Sequence, residues 1–351
     1  MSRDPVADLQ AIAFALERAG EATYRVKAFR GAAATIAALP PTELARRAAD
    51  GTLTELPGVG DVTARCVAES VSGREPEYLA RAQEKSVQQL GPEASALLEA
   101  LRGDCHSHSD WSDGGSPIEE MAVAAVALGH EYLVLTDHSP RLTVARGLSP
   151  DRLREQLGVV AAMNDVLAPD FRLLTGIEVD ILDDGGLDQE PELLAELGVV
   201  VASVHSKLRD PSDVLTPRML AAVANPDTDI LGHCTGRIVA PSSRRAGGKT
   251  RPESTFDAGA VFAACAERGV AVEINCRPDR LDPPRRLLRE AVEAGCLFSI
   301  DTDAHAPGQL SWQGNGCTRA IECGVPQERV VNTWPLPDLL AWAADHSHRP
   351  G

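Results

Sequence analysis

The apolar and polar positions divide the chain into two regions with different periodicities. Residues 5–85 carry apolar residues at helical spacing, which predicts helices at Asp8–Arg18, Phe29–Ala38 and Thr42–Ala49. From residue 103 onward, short apolar runs alternate with longer amphipathic segments. Each run has the length of a buried strand. Strands that alternate with helices predict a parallel sheet, because each helix carries the chain back to the start of the next strand.

The second region contains seven such apolar runs, and each is a predicted strand. The predicted strands are Gly103–His108, Tyr132–His138, Phe171–Asp180, Val199–His205, Ile230–His233, Val270–Cys276 and Leu297–His305. The predicted helices between them include Pro117–Leu128, Pro150–Val166, Glu190–Glu196 and Ala258–Glu267. Closing this sheet gives a barrel related to the eight-stranded TIM type. We therefore expect an α/β fold, a seven-stranded (β/α)7 distorted TIM-like barrel at 102–351, after a small all-α domain at 1–87 and a linker at 88–101.

Nearly all of the predicted strands end in a histidine or a carboxylate. Six of the nine histidines lie at these ends, and only His130, His346 and His348 lie elsewhere. The residues at these ends are His106, His108, Asp137, His138, Glu178, His205, His233, Asp303 and His305. In a parallel barrel the carboxyl ends of the strands meet at one face, which carries the chemistry. Mixed imidazole and carboxylate groups at that face predict a multinuclear metal site.

Strand geometry predicts how some of these groups pair. Residues two apart on a strand share a face, so His106 and His108 are predicted to bind one centre together. The same spacing pairs Asp303 with His305 on the last predicted strand. Glu178 has two carboxylate oxygens and is a candidate bridge between two cations.

Composition narrows the class of protein. The 351 residues, of which 44% are hydrophobic, suffice for one large and one small globular domain. A net charge of −17 argues against non-specific coating of nucleic acid, which needs a broad basic surface. The sequence shows no basic-then-apolar leader and no apolar run of membrane-spanning length, so we expect a cytoplasmic protein without a membrane partner. The eight cysteines include no CxxC pair and are predicted to be buried thiols.

A glycine motif stands out in the helical region. Leu56–Arg65 reads Leu-Pro-Gly-Val-Gly-Asp-Val-Thr-Ala-Arg and is followed by helical sequence. A Gly-x-Gly turn that leads into a helix can hold a DNA phosphate on its backbone N–H groups. The pattern predicts a helix-hairpin-helix in which Gly58, Val59 and Gly60 bind DNA. The alternatives are a glycine-rich connector between helices, or a domain that binds only a protein partner.

These motifs together resemble a known family, the PHP (polymerase and histidinol phosphatase) phosphoesterases. The matching segments are Asp104-Cys-His106-Ser-His108, Ser112-Asp113-Gly114, Leu135-Thr-Asp-His138, Gly176-Ile-Glu178-Val-Asp180, Ser203-Val-His205, Leu231-Gly-His233-Cys-Thr-Gly-Arg237, Glu273-Ile-Asn275 and Ile300-Asp-Thr-Asp303-Ala-His305. Residues 101–340 resemble the C-terminal PHP domain of bacterial family X DNA polymerases. Residues 20–70 resemble the N-terminal helical domain of the same polymerases.

The resemblance implies a centre of three divalent metal ions, which in this family are Mn²⁺, Zn²⁺ or Fe. Its implied ligands are His106, His108, Glu178 and Asp303 for one ion, Glu178, His205 and His233 for a second, and Asp113, His138 and His305 for a third. The candidate catalytic residues are Glu178, Asp303, His305 and Arg237. The implied activity is phosphoester hydrolysis.

Two departures from the resemblance limit the expected activity. The nucleotidyl-transfer domain of those polymerases is missing between Leu56–Arg65 and His106, so we do not expect the chain to polymerise DNA. In related lyase domains a lysine forms a Schiff base at the position held here by Cys66. Deoxyribose-phosphate lyase activity by that route is therefore not expected.

Basic residues close to the implied ligands are the candidate substrate-binding groups. They are Arg146, Lys207, Arg237, Arg244 and Arg245. The last three lie in Arg237–Arg251, a basic segment of an acidic chain, which predicts steering or clamping of a nucleic-acid backbone. A solvated loop is the alternative for that segment.

The leading functional hypothesis is a metal-dependent phosphoesterase that acts on DNA 3′ ends in repair, as a 3′→5′ exonuclease or an end-processing enzyme. The first alternative is a small-molecule phosphatase of histidinol phosphate or a nucleotide, which the net charge of −17 favours. The second alternative is a non-catalytic DNA-binding protein. The sequence leaves the oligomeric state open.

Overall fold

In a computed structural model of the protein, the described part of the chain comprises residues 3–239 and 250–345. This part divides into two units, of which the first ends at Gln89 and the second begins at Leu90. Within these ranges no helix is both long enough and apolar enough to span a bilayer.

The first unit is entirely helical. Its helices are α1 Pro5–Ala19, α2 Thr23–Ala37, α3 Pro41–Asp50, α4 Asp61–Val71 and α5 Glu77–Ser86. Helix α1 begins where the Asp4 carboxylate accepts a hydrogen bond from the N–H of Val6, and it ends at Gly20 in the left-handed conformation. Leu9, Ile12 and other apolar residues at helical spacing form the buried core of this unit.

The second unit alternates strands with helices, as the apolar pattern predicts. Its strands are β1 Gly103–Ser107, β2 Tyr132–Leu135, β3 Arg172–Asp180, β4 Val199–Ser203, β5 Ile230–Leu231, β6 Ala271–Asn275 and β7 Leu297–Asp301. Its helices are α6 Pro92–Ala100, α7 Ile118–Ala127, α8 Pro150–Leu167, α9 Pro191–Leu194, α10 Ser212–Ala224, α11 Ala258–Arg268, α12 Arg285–Ala294, α13 Gln313–Cys323 and α14 Leu336–Ala344.

The described strands form one parallel sheet in the order β1 to β7. The first and last strands approach each other, since Ser107 forms a bridge with Ala304 and the N–H of His108 donates to the Ala304 carbonyl at 2.8 Å. Buried side chains such as Ile177 and Val200 pack against the surrounding helices. The expected seven-stranded barrel of the TIM-like type is therefore confirmed, and it is nearly closed.

Several strands end earlier than the apolar runs predict, whereas β3 ends at Asp180 as expected. Strand β2 ends at Leu135 and β7 at Asp301, so His138, Asp303 and His305 lie in the loops that follow. Asp303 and His305 do lie together, with Asp303 Oδ1 3.4 Å from His305 Nδ1, but a loop and not strand alternation brings them there. Asp303 has a φ of 51°, which no strand residue adopts. These loop positions let the side chains turn inward over the end of the barrel.

The segment between the two predicted domains contains helix α6. Its residues Ala94 and Leu97 are buried in the core of the second unit. Helix α6, which lies within the predicted linker 88–101, therefore packs as part of the barrel unit.

A close approach between strands makes Gly176 on β3 a sensitive position. A Cβ added there would lie 2.6 Å from Val134 Cγ1 and 2.7 Å from the Val199 carbonyl oxygen. We expect Gly176→Ala to lower the free energy of unfolding by about 1–3 kcal/mol through overpacking. Denaturant unfolding of the purified protein measures the change.

Gly158 on α8 is the matched control, because an added Cβ there meets nothing within 4 Å. Gly158→Ala removes a flexible residue from a helix interior, so it should raise stability by up to about 1 kcal/mol. Equal effects of the two substitutions would contradict the packing argument.

Candidate metal centre

The carboxylate of Glu178, on β3, lies at the centre of the histidine cluster. Glu178 is buried, and ring nitrogens surround both of its oxygens. Its Oε2 lies 3.4 Å from His106 Nε2, 3.5 Å from His108 Nε2 and 2.9 Å from His138 Nδ1, and its Oε1 lies 3.2 Å from His205 Nε2 and 2.8 Å from His233 Nε2. Each oxygen thus faces at least two imidazoles, which is the arrangement that a bridging carboxylate needs.

A second group of ligand atoms lies on the solvent side of the first. Asp113 Oδ1 is 3.4 Å from His138 Nε2 and 3.3 Å from His305 Nε2. The ring of His108 lies 4.3 Å from that of His305 and 4.5 Å from that of His138, measured between centroids. The Asp113 side chain is 39% exposed, so the cluster opens to solvent on this side.

Asp303 joins the histidines to two arginines. Its Oδ1 lies 3.4 Å from both His108 Nε2 and His305 Nδ1. Arg277 Nη1 lies 3.4 Å from Oδ1, and Arg280 Nε lies 3.3 Å from Oδ2. Burial alone would lower the pKa of Arg277, but the carboxylates of Asp303 and Asp279 outweigh it and raise this pKa above its ordinary value.

Several buried polar atoms of the cluster have no hydrogen-bond partner within the described ranges. They are His106 Nε2, both ring nitrogens of His108, His138 Nδ1 and both carboxylate oxygens of Glu178. Burying such atoms unpaired costs free energy, and a divalent cation with nitrogen and oxygen ligands removes that cost. Three groups of donors lie close enough to hold an ion: His108, Asp113, His138 and His305; His106, His108 and Glu178; and His138, Glu178 and His205. These residues fit metal ions.

Two buried carboxylates hold the histidine rings in place. Glu273 on β6 accepts hydrogen bonds at 2.6 Å from His106 Nδ1 and at 2.5 Å from the N–H of His233. Asp180 lies 2.9 Å from His205 Nδ1. Each contact leaves Nε2 of the ring directed at Glu178, a common arrangement around metal-binding histidines.

Glu273 and Asp180 lie within the sequence motifs of the family resemblance, but the sequence alone did not predict a role for them. The available signal was spacing, since Asp180 lies two residues after Glu178 on the same face of a strand.

Asp137 belongs to the predicted strand-end pattern, but it stabilises a loop. Its buried carboxylate accepts from the N–H of Ser109 at 2.9 Å, from Ser109 Oγ at 2.6 Å and from Gln156 Nε2 at 2.7 Å. Ser112 Oγ donates to it as well. Burial raises the pKa of Asp137, although these hydrogen bonds oppose the rise. Asp137 therefore fixes the loop that carries Asp113.

The predicted substrate-binding residues differ in their exposure and in the groups that they contact. The guanidinium of Arg237 donates to the Arg280 carbonyl at 3.0 Å and to the Leu281 carbonyl, so it holds the loop after β6. Lys207 Nζ lies 2.7 Å from Asp183 Oδ2, and its side chain is 56% exposed. Arg146 is exposed at a loop near Asp110. Arg244 and Arg245 lie outside the described residues.

Arg277 and Arg280 are the basic residues next to the cluster that sequence reasoning missed. Arg280 Nη1 is buried without a hydrogen-bond partner in the described ranges. Both arginines could have been predicted as site residues from their position directly after the predicted strand Val270–Cys276. Buried Arg319 on α13 donates to the carbonyls of Asn275 and Pro283 and so stabilises the two ends of their loop.

The glycine motif of the first unit forms the expected turn. Gly58 has a φ of 76°, and Gly60 precedes the first residue of α4. The N–H of Gly60 donates to Thr63 Oγ1 at 2.9 Å, which stabilises the start of α4. Burial raises the pKa of Cys66 to about 11, so this thiol stays protonated near neutral pH.

A parallel barrel with a buried histidine and carboxylate cluster in its strand-end loops defines a metal-dependent hydrolase. Residues 104–276 match the PHP domain, and residues 3–75 match the helix-hairpin-helix domain. The chain therefore belongs to the PHP family of phosphoesterases, and it is a metal-dependent phosphoesterase.

Two curated relatives show how far the similarity extends. The chain is 38% identical over 245 residues to the DNA polymerase/3′-5′ exonuclease PolX of Bacillus subtilis, covering 70% of this chain and 41% of that protein. It is 30% identical over 243 residues to a probable phosphatase of Edwardsiella ictaluri, covering 66% of this chain and 90% of that protein. The chain thus spans less than half of the first relative and nearly all of the second.

Among solved structures, a histidinol phosphate phosphatase of Lactococcus lactis with zinc, L-histidinol and phosphate matches with a TM-score of 0.46 and 16% identity. That match covers 64% of this chain and 94% of the other.

The contacts of Glu273 predict an effect on metal affinity. Glu273→Gln preserves size but removes the charge that orients His106. We expect the affinity for Mn²⁺ or Zn²⁺ to fall by about 10–100-fold, which calorimetric titration of the metal-free protein measures. Glu290→Gln on the exposed face of α12 is the control. An unchanged affinity in Glu273→Gln would show that its contact with His106 is dispensable.

Proposed function

We propose that this chain hydrolyses phosphoester bonds at DNA 3′ ends, as a 3′→5′ exonuclease or end-processing enzyme of repair, without polymerase activity. The observation that carries the proposal is the pairing of a PHP barrel with a helix-hairpin-helix unit in one chain. The similarity to PolX supports it, because that relative is named as a polymerase and a 3′-5′ exonuclease. A cytoplasmic location stays a prediction.

The proposed centre holds three divalent ions, which are Mn²⁺, Zn²⁺ or Fe. The proposed ligands are His106, His108, Glu178 and Asp303 for the first ion, Glu178, His205 and His233 for the second, and Asp113, His138 and His305 for the third. The unpaired buried atoms of Glu178 and His108 support this assignment. Glu178 would be shared by the first two ions, because imidazoles face both of its oxygens. His108 also lies close enough to the third group to bind there.

The bound ions and the side chains of the protein contribute different parts of the proposed reaction. Bound divalent ions supply charge stabilisation at phosphorus and a nucleophile from water near neutral pH. Glu178 and Asp303 hold the two sides of the cluster, and His305 and Asp113 lie at its solvent-facing side, where a substrate enters. Arg277 and Arg280 lie against Asp303 and are positioned to bind phosphoryl oxygens with charge-assisted hydrogen bonds. Arg237 acts by stabilising their loop.

The first unit supplies a second contact with DNA in this proposal. The turn Gly58, Val59 and Gly60 leads into α4, and the N–H groups of the first helical turn have no partner within the helix. A DNA phosphate binds there favourably because the helix dipole is positive at that end.

A small-molecule phosphatase is the second candidate. The net charge of −17 and the similarity to a probable phosphatase that the chain matches over 90% of its length favour it. A non-catalytic DNA-binding protein is disfavoured, because it would have no use for the buried cluster.

A paired assay separates the first two candidates. Purified protein with Mn²⁺ is given a 3′-labelled oligonucleotide in one reaction and histidinol phosphate in another, with His106→Ala as the control. We expect labelled nucleotide from the oligonucleotide and its loss in His106→Ala, because that residue binds the centre. Release of inorganic phosphate from histidinol phosphate beside an intact oligonucleotide would instead establish the small-molecule phosphatase.

A charge placed at the glycine turn tests the role of the first unit. An added Cβ at Gly60 meets nothing within 4 Å, so Gly60→Glu should fold normally. Its carboxylate would repel a bound phosphate, and we expect DNA affinity in a fluorescence anisotropy titration to fall by at least about fivefold. Gly91→Glu is the matched control, since Gly91 also precedes a helix and has open space. Equal affinities of the two variants would refute DNA binding at this turn.

A further inference from the structure

Two loops form the rim of the barrel beside the Asp113 and His138 group. The first, 109–115, carries Asp113, and the second, 139–149, follows His138. Val144 at the tip of the second loop is 90% exposed, more than any other exposed large hydrophobic residue of the described ranges. Trp111 in the first loop is partly exposed. Both apolar side chains thus lie in loops that contain or directly follow residues of the Asp113 and His138 group.

The exposure of Val144 does not arise from a loosely built loop. A Cβ on Gly147 would lie 1.8 Å from the Ser139 carbonyl oxygen, so the two ends of the loop are pressed together. The side chain of Ala145, next to Val144, is buried. Val144 is therefore held outward by a tightly closed turn.

An arginine joins the two loops. Arg152 on α8 donates to the Arg146 carbonyl at 2.6 Å, to the Gly147 carbonyl at 3.2 Å and to the carbonyl of Trp111. Arg146 Nη1 lies 3.4 Å from the Asp110 carbonyl oxygen. These contacts fix Trp111 and the second loop as neighbours.

Backbone strain marks the same position. Arg146 has a φ of 57° and a ψ of 36°, in the left-handed region that side chains other than glycine seldom adopt. Strain of this kind persists where the surrounding structure enforces it, and it concentrates at binding sites. Here Arg152 enforces it, and the result is that Val144 and the Arg146 side chain are both presented to solvent.

The chemistry of the rim fits one class of ligand. Val144 and the exposed part of Trp111, whose remaining surface packs against the core of the barrel unit, offer apolar contact surface. Arg141 and Arg146 are exposed cations in an otherwise acidic protein. A nucleoside joined to phosphate has the complementary parts, since bases stack on aromatic groups and phosphates bind guanidinium groups.

We propose that Trp111, Arg141, Val144 and Arg146 form a subsite for the terminal nucleoside of the strand that is cleaved. The base packs on Trp111 and Val144, and the two arginines bind the backbone next to it. The subsite rests on the proposed function at DNA ends. It adds to that function the chemical group that the two loops bind.

The test compares two oligonucleotides that differ only at the 3′ terminus, one ending in a normal nucleotide and one in an abasic tetrahydrofuran residue. The readout is the ratio of the two kcat/KM values. We expect the native protein to favour the base by at least about tenfold, because stacking contributes strongly to the binding of single strands. Trp111→Ala and Val144→Asp should bring the ratio close to one, and Trp111→Phe should retain most of it.

Val166→Asp is the matched control, because Val166 on α8 is 84% exposed, almost as much as Val144. It should keep the native ratio. Val144→Asp replaces an exposed side chain and should fold. Its kcat/KM ratio therefore tests the subsite even if Trp111→Ala fails to fold.

A native ratio near one, with both substrates cleaved, would overturn the subsite and leave the DNA-end function standing. Cleavage of neither substrate would overturn the proposed function and the subsite with it. A native ratio that persists in both Trp111→Ala and Val144→Asp would show that other residues recognise the base.

Discussion

The rest of the barrel unit depends on the burial of the Glu178 carboxylate among imidazoles. Both of its oxygens are buried, with imidazole nitrogens 2.8–3.5 Å away from them. Burying a carboxylate costs free energy, which bound divalent cations would offset. The loops at the carboxyl ends of the strands are built to bring nitrogen ligands to this one carboxylate.

Buried carboxylates that do not face the cluster hold those loops. Asp282 accepts from the N–H of Thr235 at 3.1 Å and from Thr235 Oγ1 at 2.6 Å, which fixes the segment after His233. Asp137 fixes the segment that carries Asp113 in the same way. These two acidic residues therefore have a local structural use, since each carboxylate satisfies backbone groups that a tight loop would leave unpaired.

The positive groups are distributed differently from the acidic ones. Arg277 and Arg280 lie directly against Asp303, whereas Arg146 lies on the exposed rim. An anionic substrate thus meets local positive charge despite the net charge of −17. In the proposed function the exposed rim supplies apolar and cationic contact, and the partly buried Arg277 and Arg280 supply charge to a phosphoryl group.

The sequence by itself determined the α/β barrel and the residue types of the centre, because apolar periodicity and strand-end polar residues are local patterns. The family resemblance groups His106 and His108 with Glu178, and the structure places their Nε2 atoms 3.4 and 3.5 Å from its carboxylate. Only the tertiary structure decided which further groups meet. Glu273 contacts His106 from across the sheet, Arg277 and Arg280 reach Asp303 from another loop, and Asp303 leaves the strand geometry that its spacing predicted. The contact of Glu273 with His106 joins residues 167 positions apart, and the contacts of the two arginines with Asp303 join two separate loops. Both kinds of contact depend on how the barrel brings its strand ends together, which no local pattern encodes.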